Sequence, residues 1–257
     1  MADVLVCVKR VPDFSGEVLL SDDAQSADAR YVGHTLSNHD LCAVETAVQL
    51  AAATGGSATV LTVGSADAVE QLRTALGVGC TAAVLVEADP VTLGPADVAR
   101  EVAAVVADHE ASRGAAYDLV LLGNDAADSG DFQVGIRLAR LLDRPVVTGV
   151  QTVTLDGDRV TLVSDVAEGR ETYRLPTPAV VTVLEGGVEP RYPTITGRMK
   201  AKKIPVEERA LSAEPVGSGR VRLRVPAPQS STSTLLGEGP EAAPAVVDLL
   251  QQLGVAR

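Results

Sequence analysis

Four short apolar runs, each followed by an amphipathic segment, limit what this chain can fold into more than any other feature. Val4-Leu-Val-Cys-Val8, Ala58–Val63, Ala82–Val86 and Asp118–Leu122 are nearly continuous and rich in β-branched residues. That is the pattern of strands buried on both faces, not of half-exposed strands with alternating character. Between them lie helical patterns. Leu41, Val44, Val48 and Ala51 share one side of a helix over 41–53, opened by Asp40 and stopped by Gly55-Gly56. Helices are also expected over 67–76, over 95–111 with Pro95 in its first turn, and over 132–142. Strand and helix alternate with connections of a few residues, which predicts parallel strands joined by right-handed crossovers.

The rhythm changes after Gly149. Thr152–Leu155 and Val160–Ser164 flank Asp156-Gly-Asp158 and predict a hairpin, with Arg170–Leu175 as a third antiparallel piece. Pro178–Leu184 returns to a buried strand. Residues 1–188 therefore read as one α/β domain with an antiparallel addition at its edge. From Gly186 onward periodicity fades, six prolines from Pro205 to Pro244 interrupt the chain, and Ser230–Thr234 is a polar tract. Only 245–253 is expected to be helical in this tail. Residues 205–257 are too long for an ordinary loop and too sparse for a core. They are either disordered or an arm laid on a partner subunit, and the apolar stripe of Val246, Leu249, Leu250 and Leu253 favours the arm.

Composition excludes several functions. Only 2% of residues are aromatic and the net charge is −12, which argues against base-stacking and phosphate-backbone binding. Cys7, Cys42 and Cys80 are odd in number and lie in apolar contexts, as reduced buried thiols do. His34, His39 and His109 show no metal-ligand spacing, so no metal is expected. No apolar run approaches a membrane span and no leader precedes the first strand, so a cytoplasmic location is expected. Neither a G-x-x-x-x-G-K-[ST] loop nor a G-x-S-x-G elbow occurs, and no catalytic constellation emerges. The chain is expected to hold a ligand without transforming it.

Two places draw attention. In open parallel sheets, ligands bind at the carboxyl ends of strands. Here those ends are Cys7-Val-Lys9, Val63-Gly64-Ser65 and Gly123–Val134. The third is a polar strand-to-helix loop whose free N–H groups near Gln133 and Val134 would attract a phosphate, although a turn capped by Asp131 would account for it equally well. The second place is Glu189–Lys203. Of four lysines in the chain, Lys200, Lys202 and Lys203 fall here. Pro190, Pro193 and Gly197 argue against a helix or central strand through it, leaving a basic loop on an acidic molecule.

Taken together, the segments resemble the β subunit of electron transfer flavoproteins. Val6–Val11 is similar to that family's first strand, Ala43-Val-Glu45 to its first helix, and Leu72–Gly79 to its second. Leu93-Gly-Pro95 opens its third, and Asp118–Gly123 with Gln133 and Gly135 is similar to its nucleotide loop. Glu189-Pro-Arg-Tyr-Pro-Thr with Met199-Lys-Ala-Lys-Lys203 resembles its signature loop.

The resemblance implies an open, mostly parallel Rossmann-like sheet of the adenine-nucleotide α-hydrolase type. It implies a heterodimer with an α subunit that holds most of an FAD. It also implies electron transfer from flavin-dependent dehydrogenases to a quinone reductase or another acceptor, with no catalysis by this chain alone. The nucleotide pocket implied by the resemblance draws on Cys7 and Lys9, on Ser37, Asn38, His39 and Asp40, and on Val63 and Gly64. It continues through Gly123, Asn124, Asp125, Ala126, Asp128, Ser129, Gly130, Asp131, Phe132, Gln133 and Val134. In residues 189–204, Arg191, Tyr192, Ile195, Lys200 and Lys203 match partner-recognition positions, with Ile195 as the aliphatic anchor where Leu is usual. Ser37-Asn38-His39 stands where AMP-holding members carry Asn-Pro-aromatic, and Gln133-Val134-Gly135 leans toward electron-bifurcating members. AMP and a second FAD both remain open for the β site. A stand-alone adenylate-binding module is the alternative from a different class.

Overall fold

Among the described residues the chain forms twelve strands and six α-helices. The strands are β1 (Asp3–Cys7), β2 (Val11–Pro12), β3 (His34–Thr35), β4 (Ser57–Gly64), β5 (Ala82–Glu87), β6 (Leu119–Gly123), β7 (Val146–Val150), β8 (Thr152–Asp156), β9 (Arg159–Val166), β10 (Gly169–Pro176), β11 (Ala179–Val183) and β12 (Val206–Ala210). The helices are α1 (Asn38–Thr54), α2 (Val69–Val78), α3 (Pro95–Arg113), α4 (Val134–Leu142), α5 (Ile195–Ala201) and α6 (Ala243–Gln252). The computed structural model describes residues 1–13, 18–28, 30–227 and 233–255; most of the polar tract Ser230–Thr234 lies outside them. Two compact units divide the chain, Met1–Arg224 and Val225–Arg257. The second carries α6, whose Val246, Val247 and Leu249 are exposed, as is Leu253 at its C-cap.

In the first unit the apolar runs do what burial on both faces demands. Seven strands form one sheet in the order β12-β5-β4-β1-β6-β11-β7, and every pairing in it is parallel. Alternate residues of one strand enter opposite cores. Val4 and Val6 of β1, with Leu119 and Leu121 of β6, pack against α1 and α2. Leu5 and Cys7, with Val120 and Leu122, pack against α3 and α4. Each such fully buried Val or Leu contributes about 1.5–3 kcal/mol relative to exposure. The hairpin expected after Gly149 forms with its third strand, but β8, β9 and β10 make a separate three-stranded antiparallel sheet.

Two segments depart from the expectation for the region after Gly186. Val206–Ala210 extends the parallel sheet by pairing with β5. Its sequence, Val-Glu-Glu-Arg-Ala, lacks an apolar run because an edge strand faces water along one side, where charged residues also discourage further pairing. Ile195–Ala201 is a helix despite Pro193 and Gly197. The hydroxyl of Thr194 accepts from Gly197 N at 3.0 Å and caps it, and Pro193 lies just outside.

Beyond β12 the chain is clasped to the first two turns of α3. The fully buried Asp97 carboxylate accepts from Gly94 N at 2.9 Å, Val216 N at 2.8 Å, Gly217 N at 2.8 Å and Arg100 Nη1 at 3.0 Å. One turn further, buried Glu101 accepts from Ser212 N at 2.7 Å and Ser212 Oγ at 2.9 Å. Burial alone would raise the Asp97 pKa, but its backbone donors and Arg100 hold it down at about 2. Gly94 permits the approach, since a Cβ there would overlap the Gly217 carbonyl.

Candidate functional site

Strand order reverses around β1: the chain runs outward through β4 and β5, then returns to β6 on the other side. The carboxyl ends of β1 and β6 therefore border the crevice where open α/β sheets place their ligands. The N-terminus of α1 points into the same place. Ser37, not Asp40, is the N-cap: its hydroxyl accepts from Asp40 N at 3.1 Å. Asp40 sits in the first turn, buried, and ties the two strand ends together. Its carboxylate accepts from Lys9 N at 3.1 Å and from Gly123 N at 3.2 Å. Burial lifts the Asp40 carboxyl to about 7, against the lowering effect of those donors. Gly123 must be glycine here, because a Cβ would overlap Asp40 Oδ1.

Two side-chain contacts cross the crevice. Lys9 Nζ meets Asp128 Oδ1 at 2.7 Å, and His39 Nδ1 meets Asp125 Oδ1 at 2.6 Å. Asn124 Oδ1 accepts from the hydroxyl of Thr182 at 2.6 Å, and that hydroxyl accepts from Gly149 N at 3.0 Å. Thr182 thus fixes the loop from β11, a contact 58 residues away in sequence that no local pattern announces. Cys7 lies beneath; burial, and then the charge of Asp40, push its thiol far above the ordinary range.

The β6–α4 loop turns through Ala126, whose carbonyl accepts from Ser129 N at 3.2 Å and Gly130 N at 2.8 Å. Phe132, with φ of 54°, is more than half exposed. Asp131 does not cap α4. Gln133 holds the N-cap position and makes no capping bond with its side chain. The first N–H groups of α4 thus have no side-chain cap, and Gly135 lets the helix close on Thr182, where a Cβ would collide. Val63 and Gly64 end β4 on the far side of β1, and the Gly64 carbonyl accepts from Ala88 N at 2.9 Å. β1 lies between them and β6. An open cleft of about 700 Å³ adjoins that end, lined by Ser65, Glu87, Asp89, Glu208 and Arg209. A second, of about 450 Å³, lies between the start of α1 and the turn after β11, beside Asn38, Cys42, Glu185 and Val188.

The residues present suit an adenine nucleotide's anionic groups. Lys9 supplies a cation and α4 presents N–H donors without a side-chain cap. An incoming phosphate would compete with Asp128 for Lys9. Among the described residues, no cluster of three or more His, Cys, Asp or Glu is arranged for a metal ion, and no helix is long and apolar enough to cross a membrane.

The basic segment takes a different form from the expected loop. Tyr192, Ile195 and Met199 are 84%, 82% and 63% exposed around α5, with Lys200 and Lys203 exposed beside them. Arg191, itself exposed, is tethered to the body of the chain: its Nε donates to the buried Glu45 Oε2 of α1 at 2.8 Å. Burial would raise the Glu45 pKa, but Arg191 and Gln49 bring it below its ordinary value.

Fold and crevice together define a Rossmann-like α/β protein with its polar groups gathered where the strand order reverses. The family model described as "Electron transfer flavoprotein domain" matches residues 27–214, most of the chain. The electron transfer flavoprotein subunit beta of Bacillus subtilis is 33% identical over 260 residues, covering 97% of both chains. The subunit beta of Syntrophomonas wolfei is 36% identical over 82% of this chain and 80% of its own. The human subunit beta is 38% identical over 79% of each. This chain belongs to the electron transfer flavoprotein beta-subunit family.

Proposed function

We propose that this chain is one half of a heterodimer with an α-type subunit, the α subunit holding most of an FAD. The pair takes electrons from flavin-dependent dehydrogenases and passes them to a quinone reductase or another acceptor. In this reading the crevice between Lys9, Asp40 and the Gly123–Val134 loop holds an adenine nucleotide, AMP or a second FAD, and α5 meets the dehydrogenase. The observation that carries it is the family match from residue 27 to 214, which takes in the start of α1 with Asp40, the Gly123–Val134 loop and the whole of α5. The nucleotide's role here is stability, since a ligand that binds only the folded chain raises its unfolding free energy. The chain itself supplies no acid, base or nucleophile to the redox step.

Co-expression with a neighbouring α-type subunit, purification, and denaturing release of the bound nucleotides test this. One FAD and one AMP per heterodimer supports the reading with AMP. Two yellow equivalents identify the β site as a flavin site. A colourless, stable monomer under all conditions sinks the heterodimer and favours a stand-alone module.

A further inference from the structure

The stretch Leu72–Gly79 lies outside the crevice, and its exposed side points elsewhere. Arg73 Nη1 donates to the carbonyl oxygens of Ala201 and Ile204, at the end of α5 where helix carbonyls lack intrahelical partners. One turn along α2, Gly77 and Gly197 bring the two backbones together. A Cβ on Gly77 would meet Pro193 at 2.9 Å, and one on Gly197 would overlap the Gly77 carbonyl. The other end of α5 is tied by Arg191 to buried Glu45. Seven residues are too few for a helix to persist alone in water. This one is held by side chains that lie 128 and 146 residues away in sequence.

We propose that Arg73 is a positioning residue for partner docking, holding α5 so that Ile195 and Met199, one turn apart, project as a two-pronged apolar anchor. The inference rests on the reading that α5 meets a flavin dehydrogenase. Arg198, Lys200, Lys202 and Lys203 are exposed around the anchor on a chain of net charge −12. The matching surface is an apolar pocket for two side chains with an acidic rim. The clamp sets affinity by keeping the binding geometry populated before contact. A segment that had to order on binding would lose apparent affinity in proportion to its competent fraction.

The test uses the intact heterodimer and, as probe, the flavin dehydrogenase of the same organism that reduces it fastest. Arg73→Met should abolish hydrogen-exchange protection at the end of α5. It should also lower kcat/KM for the dehydrogenase by about tenfold, the effect of a competent fraction near one tenth, with kcat at saturation kept. Arg73→Lys, which retains a donor, should restore most of both. Loss of protection with kcat/KM unchanged overturns the proposal, as does protection that survives Arg73→Met. Should Arg73→Met fail to assemble, Gly197→Ala displaces α5 while leaving Arg73 in place, and unchanged kcat/KM in that variant is equally fatal. Ile195→Ala separates the two levels: if it leaves electron transfer intact, the docking role of α5 falls, while the exchange data still decide the clamp.

Discussion

Replacing Asp97 by Asn should be among the most damaging isosteric changes in the first unit. The wild-type carboxylate divides four donors between two oxygens: Arg100 Nη1 and Val216 N on Oδ1, Gly94 N and Gly217 N on Oδ2. An Asn keeps one oxygen and turns its NH2 toward the other two donors. Two charge-assisted bonds are lost, each worth about 1.5–3 kcal/mol, partly offset because no charge is then buried. The expected net cost is about 3 kcal/mol, a large share of a typical domain's stability. Urea unfolding should show it as a fall in midpoint of about 1 M at unchanged slope. The acid limb gives an independent check. The folded pKa of about 2 lies below the unfolded value, so this stabilisation is complete above about pH 4 and is lost as pH falls through 2. That shift corresponds to about 2 kcal/mol of pH-linked stability. Wild type and Asp97→Asn should therefore converge in stability toward pH 2. A midpoint change under about 0.3 M, with amides of 212–217 still protected, would refute the reasoning.

Three further outcomes follow from the geometry. Met199→Ala should weaken dehydrogenase coupling by about tenfold or more, since burying such a side chain is worth roughly 1.5–3 kcal/mol, with nucleotide content unchanged on release. Gly123→Ala should displace α1 from β6 and lower both Tm and retained nucleotide; a variant with wild-type nucleotide content would show that the crevice tolerates the shift. Lys9→Met should change urea stability by less than about 1 kcal/mol, because its pair with Asp128 is partly exposed, yet reduce AMP affinity measured by calorimetry.

The parallel sheet was legible because burial on both faces writes itself into consecutive residues, as in Val4–Val8 and Leu119–Leu122. Helix α3 was legible from Pro95 and its apolar stripe. The groups that organise the crevice were only half legible. Asp40 reads locally as a cap, but its partners are 31 and 83 residues away, and sequence spacing carries no trace of them. Helix α5 was hidden because Pro193 and Gly197 signal a break, while docking on Gly77 and Arg73 overrides that propensity. The edge strand β12 was hidden for a related reason: only one neighbour pairs with it, so its residues need not be apolar. The resemblance to a known family supplied the site residues, and the strand ends alone supplied their neighbourhood.

All three native thiols lie under the surface, and burial raises each of their pKa values, that of Cys80 to about 12. Maleimide and iodoacetamide react with thiolates, so the native chain should stay unlabelled at neutral pH while it remains folded. One cysteine introduced at an exposed position would then take up a dye alone, with no need to strip out the natural ones.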